Sequence, residues 1–378
     1  MFIKKQSYYH LISKPIIGKE EIDAVVRVLR SGTVAQGPEV GQLEKSFCEL
    51  TGRKYAVAMN SGTAVIHAAL YGLGIGQGDE VICPPFTFVA TANAVLMAGA
   101  TPVFCDINQD DYMINPKMIE AKITEKTKAI IAVSLYGQVF RYDEIKKIAD
   151  TYNLKIIEDA AQSIGATYKG IPSGGLGDVG TFSLYATKNI HCAEGGILVT
   201  DDEECYEKAK MIRHHGQSEK TRYEYHDLGY NYRLTDIHAA IANQQMKKLD
   251  WVCKKRQENA NLYNSGLADL YPIIQTPYLH EGNMHVYHQY VIKILSQDGY
   301  SRDGLMQYLK DLNIGCGVYY PKPLHLHPHF SRIGYSKGDF PVSEQASQEV
   351  LSLPVHPLLS SDDIFFIISA IKSYVNKH

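Results

Sequence analysis

Lys188 stands in the stretch Ser183-Leu-Tyr-Ala-Thr-Lys-Asn189, rich in hydroxyls and weak in charge, with Glu194-Gly195-Gly196 close behind it. A lysine between two strands in such a setting can lose part of its basicity, and a neutral amine is a nucleophile toward a carbonyl carbon. A lone lysine is more often a solvated surface charge, so Lys188 needs partners before it implies chemistry. Glu158-Asp159-Ala160-Ala161-Gln162 closes the apolar run Leu-Lys-Ile-Ile. An acid at the carboxyl end of a parallel strand faces the crevice where ligands bind. Taken alone, either carboxylate reads as well as the acidic start of a helix. Asn60-Ser61-Gly62-Thr63 enters a helical pattern, where free N–H groups attract phosphate and glycine permits close approach. A hydroxyl residue there also serves as a plain cap. In Gly229-Tyr230-Asn231-Tyr232-Arg233, the guanidinium suits a carboxylate, a phosphate or a structural ion pair.

One cofactor accounts for these segments together. Pyridoxal phosphate needs a lysine for its Schiff base and a carboxylate for its pyridine nitrogen, with a phosphate cradle and a flat group against its ring. Lys188 and Asp159 meet the first two needs. Gly62, Thr63 and Ser183 can form the cradle, and Phe88, in Pro-Phe-Thr-Phe-Val-Ala-Thr, can lie over the ring. The carboxylate matters because a protonated pyridinium draws off the negative charge left when a Cα proton departs. Two other patterns carry less. Gly175, Gly177 and Gly180 spell G-x-G-x-x-G, but the following Gly-Thr-Phe-Ser-Leu-Tyr reads as a strand, and a dinucleotide fingerprint needs a helix there. His325, His327 and His329 have no carboxylate or cysteine cluster beside them, so no metal site is assigned.

These residues sit among alternating elements. Glu-Val-Ile-Cys-Pro-Pro, Thr-Pro-Val-Phe-Cys-Asp-Ile, Lys-Ala-Ile-Ile-Ala-Val and Leu-Lys-Ile-Ile-Glu-Asp read as strands separated by helical stretches. That alternation predicts an α/β fold with a mostly parallel sheet flanked by helices. Residues 19–31 predict a helix with Ile22, Val25, Val26 and Leu29 on one face. The text of 233–262, free of Gly and Pro, predicts one long helix leading into a smaller C-terminal α+β domain. The expected division is 1–250 for the large cofactor-binding domain, with an N-terminal arm, and 251–378 for the small one. The composition is 45% hydrophobic and 21% charged, that of a globular protein with a substantial core. Lys plus Arg total 38 against 41 Asp plus Glu, which gives nucleic acid or an acidic membrane surface no overall attraction. No apolar run approaches the roughly 20 residues of a membrane helix, and the opening MFIKKQSYYHLISKP has no leader pattern. The seven cysteines form no C-x-x-C pair, so a reducing cytoplasmic location is expected, with neither a disulfide framework nor a zinc ribbon.

With these motifs in order, the chain resembles the DegT/DnrJ-type sugar aminotransferases, a branch of the fold-type-I pyridoxal phosphate enzymes. The resemblance runs from about residue 15 to 375 through SGTVAQGPEV, NSGTAVIHAAL, GDEVICPPFTFVATANA, EDAAQS, GTFSLYATKNI, HGQ, GYNYRLTDIHAAI, HVYHQY, GVYYPKPLH and LSLPVHP. It implies Lys188 as the Schiff-base lysine and proton shuttle, Asp159 at the pyridine nitrogen, and Gln162 with Phe88 against the ring. It also implies Gly62, Thr63 and Ser183 at the phosphate. Such enzymes are dimers with shared active sites, so Asn231 would reach the phosphate held by the neighbouring subunit. Arg233 would hold the amino donor or the substrate. Tyr319, Tyr320 and His325 match a segment that borders the sugar pocket. Many members have His-Leu-Tyr-Gly where this chain has Ser134-Leu-Tyr-Gly, so that position receives no role.

The implied reaction moves an amino group from glutamate to a keto-sugar, foremost a nucleotide-linked 4-keto-6-deoxyhexose, for surface polysaccharide or glycoconjugate. A 3-keto nucleotide sugar and a keto-sugar acid are the alternatives. Dehydratases of the same fold carry histidine in place of the lysine, so Lys188 favours transamination. A non-catalytic pyridoxal phosphate-binding regulator would have no need to keep Lys188, Asp159 and Gln162 together. A nicotinamide oxidoreductase is disfavoured by the misplaced glycine pattern.

Overall fold

Five strands in the first half of the chain are β1 (Tyr55–Met59), β2 (Glu80–Cys83), β3 (Thr101–Phe104), β4 (Thr127–Val133) and β5 (Lys155–Asp159). Two short ones follow, β6 (Thr167–Tyr168) and β7 (Ile171–Pro172), and then β8 (Val179–Ser183) and β9 (Gly196–Thr200). The computed structural model describes residues 9–218, 223–295 and 299–377. Most of the opening segment, in which no leader is expected, therefore lies outside the described residues.

The central sheet has the order β1-β9-β8-β5-β4-β2-β3. Every neighbouring pair is parallel except the two made by β9, which runs against the rest. Alternation along each strand divides the apolar side chains between two faces. Val57 and Met59 of β1, Val81 of β2, Ile131 of β4 and Ile157 of β5 enter one core. Ala56, Ala58, Ile82, Ile130 and Ile156 enter the other. Helices cover both faces, which is why these strands read as nearly continuous apolar runs.

The remaining strands are β10 (Ile274–Gln275), β11 (Asn283–Met284), β12 (Tyr290–Ile294) and β13 (Val350–Leu353). Strands β10, β12 and β13 form an antiparallel sheet, while β11 joins β6 and β7. The former packs with the helices Leu249–Leu267, Arg302–Asp311 and Ser361–Val375 into a third core around Tyr263, Tyr290, Leu305 and Ile371.

Two expectations, for the long helical text and for the helix at 19–31, change in detail. The long helical text divides into Asp236–Met246 and Leu249–Leu267. The chain tightens between them, where the Lys248 N–H bonds back three residues to the Gln245 carbonyl. The expected division at 250/251 falls inside the second of these helices, whose early Leu249 and Cys253 belong to the sheet core and whose later Tyr263 and Leu267 belong to the third. The helix Lys19–Ser31 buries Glu21, Ala24 and Val28 instead of its strongest apolar positions, leaving Ile22 and Leu29 more than half exposed. The buried Glu21 carboxylate accepts from Lys248 Nζ at 2.6 Å, Gln245 Nε2 at 2.7 Å and the Gly18 N–H at 2.7 Å, which offsets its desolvation. No helix among the described residues is long and apolar enough to cross a membrane.

Candidate active site

The carboxyl ends of β1, β2, β5 and β8 share one edge of the sheet, and the chemistry-bearing segments leave from it. Met59 of β1 and Ser183 of β8 both pair with Gly196 of β9. A side chain at Gly196 would strike the Ser61 carbonyl, so glycine lets the start of the helix Gly62–Gly72 cross directly over the strand. Ser61 caps that helix by accepting from the Ala64 N–H at 3.1 Å. Gly62 then lies against Ser183: an added Cβ would sit 3.0 Å from that of the serine. Helix N-terminus, glycine and hydroxyls thus converge on one spot.

The acidic pair at the end of β5 separates because successive strand residues face opposite ways. Glu158 points into the interior, where it accepts from Ser134 Oγ at 3.0 Å, Ser173 Oγ at 2.8 Å and the Gly174 N–H at 2.8 Å. This bond gives Ser134 a structural occupation. Asp159 points the other way, into a cavity of about 600 Å³. Its carboxylate accepts from Thr91 Oγ1 at 2.8 Å and the Ala161 N–H at 3.2 Å. Burial holds the carboxyl above its usual range, opposed by those two bonds and by the charge of Lys188.

Lys188 enters the same cavity from the loop between β8 and β9. Burial pulls its amine down to about 8, with Asp159 acting in the other direction. No hydrogen bond or ion pair holds the Lys188 amine among the described residues. Gln162 is fixed at both ends of its amide: Oε1 accepts from the Tyr136 N–H at 2.9 Å, and Nε2 donates to the Tyr320 hydroxyl at 3.2 Å. Phe88 stands with its ring 6.3 Å from that of Tyr320, and it is more than half exposed because it faces the open cavity.

Nine of the sequence-predicted residues therefore wall one cavity: Gly62, Thr63, Phe88, Asp159, Gln162, Ser183, Lys188, Tyr319 and Tyr320. Three do not. His325 is fully buried outside it, because the Leu324 N–H bonds to the Pro85 carbonyl and turns the histidine toward Glu344, 3.0 Å from its Nε2. His325, expected beside the sugar pocket, therefore does not line this cavity in the single chain. Arg233 lies in a separate surface depression with His214, His215 and Tyr223, its Nη1 2.8 Å from His214 Nδ1. Asn231 is exposed, and its carbonyl accepts from Asn60 Nδ2 at 3.2 Å. Neither reaches the cavity of its own chain.

The glycine pattern is a packing device. A Cβ at Gly177 would meet the Ile156 carbonyl at 2.5 Å, and one at Gly180 would strike the Gly174 carbonyl. The cavity also contains residues that sequence reasoning missed: Ile12 and Ser13 from the N-terminal arm, and Arg256 and His288 from beyond the sheet. Thr91, which steadies Asp159, was visible as the last residue of Pro-Phe-Thr-Phe-Val-Ala-Thr. Arg256 follows two lysines in an ordinary charged helix, and nothing local marks it.

The residues fit pyridoxal phosphate: a partly neutral amine, a buried acid opposite it, and a helix N-terminus whose glycine leaves room beside Ser183. Fold and site define a pyridoxal phosphate-dependent aminotransferase of fold type I. The chain belongs to the DegT/DnrJ/EryC1/StrS aminotransferase family, whose model matches residues 15–372. It is 39% identical to the spore coat polysaccharide biosynthesis protein SpsC of Bacillus subtilis, over 99% of each chain. Among solved structures it is similar to Spr1654 from Streptococcus pneumoniae in its PLP form, with 31% identity, a TM-score of 0.91, and 98% and 99% of the two chains covered. It is also similar to Helicobacter pylori PseC, an aminotransferase involved in the biosynthesis of pseudoaminic acid. Here identity is 29% and the TM-score 0.91, with 98% and 100% of the two chains covered.

Proposed function

We propose that this sugar aminotransferase takes its amino group from glutamate and delivers it to a nucleotide-linked 4-keto-6-deoxyhexose destined for a surface polysaccharide or glycoconjugate. The observation that carries the chemistry is the meeting of Lys188, its amine drawn to about 8, with Asp159 in one cavity. The names of SpsC, tied to spore coat polysaccharide biosynthesis, and of PseC, tied to the biosynthesis of pseudoaminic acid, support a substrate of the sugar class. Free cysteines throughout are compatible with a cytoplasmic location.

When bound, pyridoxal phosphate supplies an aldehyde for an amine and a ring that accepts an electron pair. Asp159 would hold the proton on the ring nitrogen. Gly62, Thr63 and Ser183 would bind the phosphate through N–H and hydroxyl groups, while Phe88 and the braced Gln162 would lie against the ring. With the cofactor bound, Lys188 Nζ would take the proton from the Cα of the amino donor and deliver it to the cofactor carbon that carried the aldehyde, which requires an amine that is neutral for part of the cycle. Tyr319 and Tyr320 border the sugar. Asn231 and Arg233, directed away from their own cavity, serve the site of a second copy in a homodimer.

The absorption spectrum of the purified protein tests this. A yellow band should fade with glutamate and return with 2-oxoglutarate, or with the correct keto-sugar. Restoration by a 3-keto sugar or a keto-sugar acid alone would replace the substrate assignment. No band after added pyridoxal phosphate would remove the roles given to Lys188 and Asp159. Lys188→Ala should abolish turnover while the phosphate and ring contacts still retain some cofactor.

A further inference from the structure

Arg256 is a buried guanidinium on the wall of the cavity, contributed by the helix Leu249–Leu267. Among the described residues, only one of its nitrogens is occupied. Nη1 donates to the carbonyls of Tyr287 at 3.0 Å and His288 at 3.1 Å, which fixes the plane of the group. Nε is buried without a partner, and Nη2 makes no hydrogen bond with a described residue. Nη2 is thus free to donate to a carboxylate, a charge-assisted bond stronger than a neutral one.

No acid among the described residues pairs with this cation. Its electrostatic neighbours are Cys253, His288 and His356. His288 also feels the charge of Lys188, and its own Nδ1 is buried without a partner among the described residues. Burial pulls Arg256 down toward about 10, a value at which it is still charged at neutral pH. A buried cation with no counter-ion is costly, and a ligand anion arriving at its free edge would offset that cost.

We infer that Arg256 binds a carboxylate of the dicarboxylic amino donor through its unpaired Nη2, and places that donor beside Lys188. The identity of the ligand rests on the aminotransferase reading, whereas the anion site rests on the geometry of Arg256 alone. A carboxylate on a keto-sugar acid would satisfy the same donor, so the two sources must be separated experimentally.

Calorimetry with glutarate, an unreactive dicarboxylate, on the cofactor-loaded protein reads the site without turnover. Arg256→Lys keeps a donor for the two carbonyls and loses Nη2. It should weaken glutarate binding by about ten- to hundredfold, as should Arg256→Gln. The KM for glutamate should rise with it, while amination of the keto-sugar from the amine-loaded enzyme changes far less. Unchanged glutarate affinity in both variants would overturn the inference, as would a loss confined to the sugar half. Should the variants fail to fold, the wild-type protein decides: glutamate must be preferred over glutamine or over isoglutamine, each of which lacks one carboxylate. Equal use of all three overturns it. Glutarate binding through Arg256 in a protein that does not transaminate would refute the function proposed above and leave the anion site standing.

Discussion

At the scale of single residues, the most informative group is Lys188. Its amine is placed at about 8 against an ordinary 10.5 because burial disfavours the charged form more than Asp159 restores it. Between those two values the unfolded chain binds a proton that the folded chain does not. Stability of the cofactor-free protein should therefore rise with pH across that window. Urea unfolding from pH 7.5 to 10.5 should show a rise that Lys188→Met lacks, and parallel curves for the two proteins would remove the lowered amine. That Lys188 and Asp159 share a cavity was legible because few roles demand an acid at a strand end and, later in the chain, a lysine in a hydroxyl-rich loop. The direction each takes was not. Glu158 and Asp159 are adjacent in sequence, and only the pleat of β5, with Ser134 and Ser173 waiting on one side, decides which of the two faces the cavity.

At the scale of elements, the positions of glycine separate packing from function. Gly180 lies in β8 against the Gly174 backbone, which has no flexible end to move aside. Gly180→Ala should cost about 1–3 kcal/mol or more in chemical unfolding, with no change in affinity for nicotinamide dinucleotides. Gly41, inside the helix Pro38–Thr51, has open space around it, and Gly41→Ala should stabilise by about 0.5–1 kcal/mol. Equal effects at both sites would refute the packing reading. The helix Lys19–Ser31 teaches the converse. Its helical period was plain, yet the buried face includes Glu21, because Gln245 of a distant helix and Lys248 just beyond that helix satisfy the carboxylate. A hydrophobic pattern locates a helix, but its orientation depends on partners that the pattern does not contain.

At the scale of the whole molecule, one chain does not assemble all the residues proposed for the site. Asn231 and Arg233 lie off the cavity, while Ile22 and Leu29 present apolar surface outward. A homodimer with shared sites makes a sharp prediction. Lys188→Ala and Asn231→Asp should each be inactive alone, yet co-refolded together they should regain on the order of a quarter of wild-type activity, since half of the dimers then hold one intact site. No recovery, with dimers present in sedimentation, would place Asn231 in its own subunit's chemistry or in none.

The amino-acid sequence by itself determined the alternating strand and helix order, the parallel sheet, the cofactor class and nine residues that line one cavity beyond the strand ends. Those features depend on local periodicity and on residue types with few alternative uses. Tertiary structure alone decided which acid turns inward, that the helical text after Arg233 breaks near Lys248, that His325 belongs to the core, and that Arg256 reaches the cavity. Each of these depends on contacts between segments far apart in the chain. Arg256 meets the carbonyls of Tyr287 and His288, 31 and 32 residues further along the chain, and no spacing within a single stretch of sequence encodes that approach.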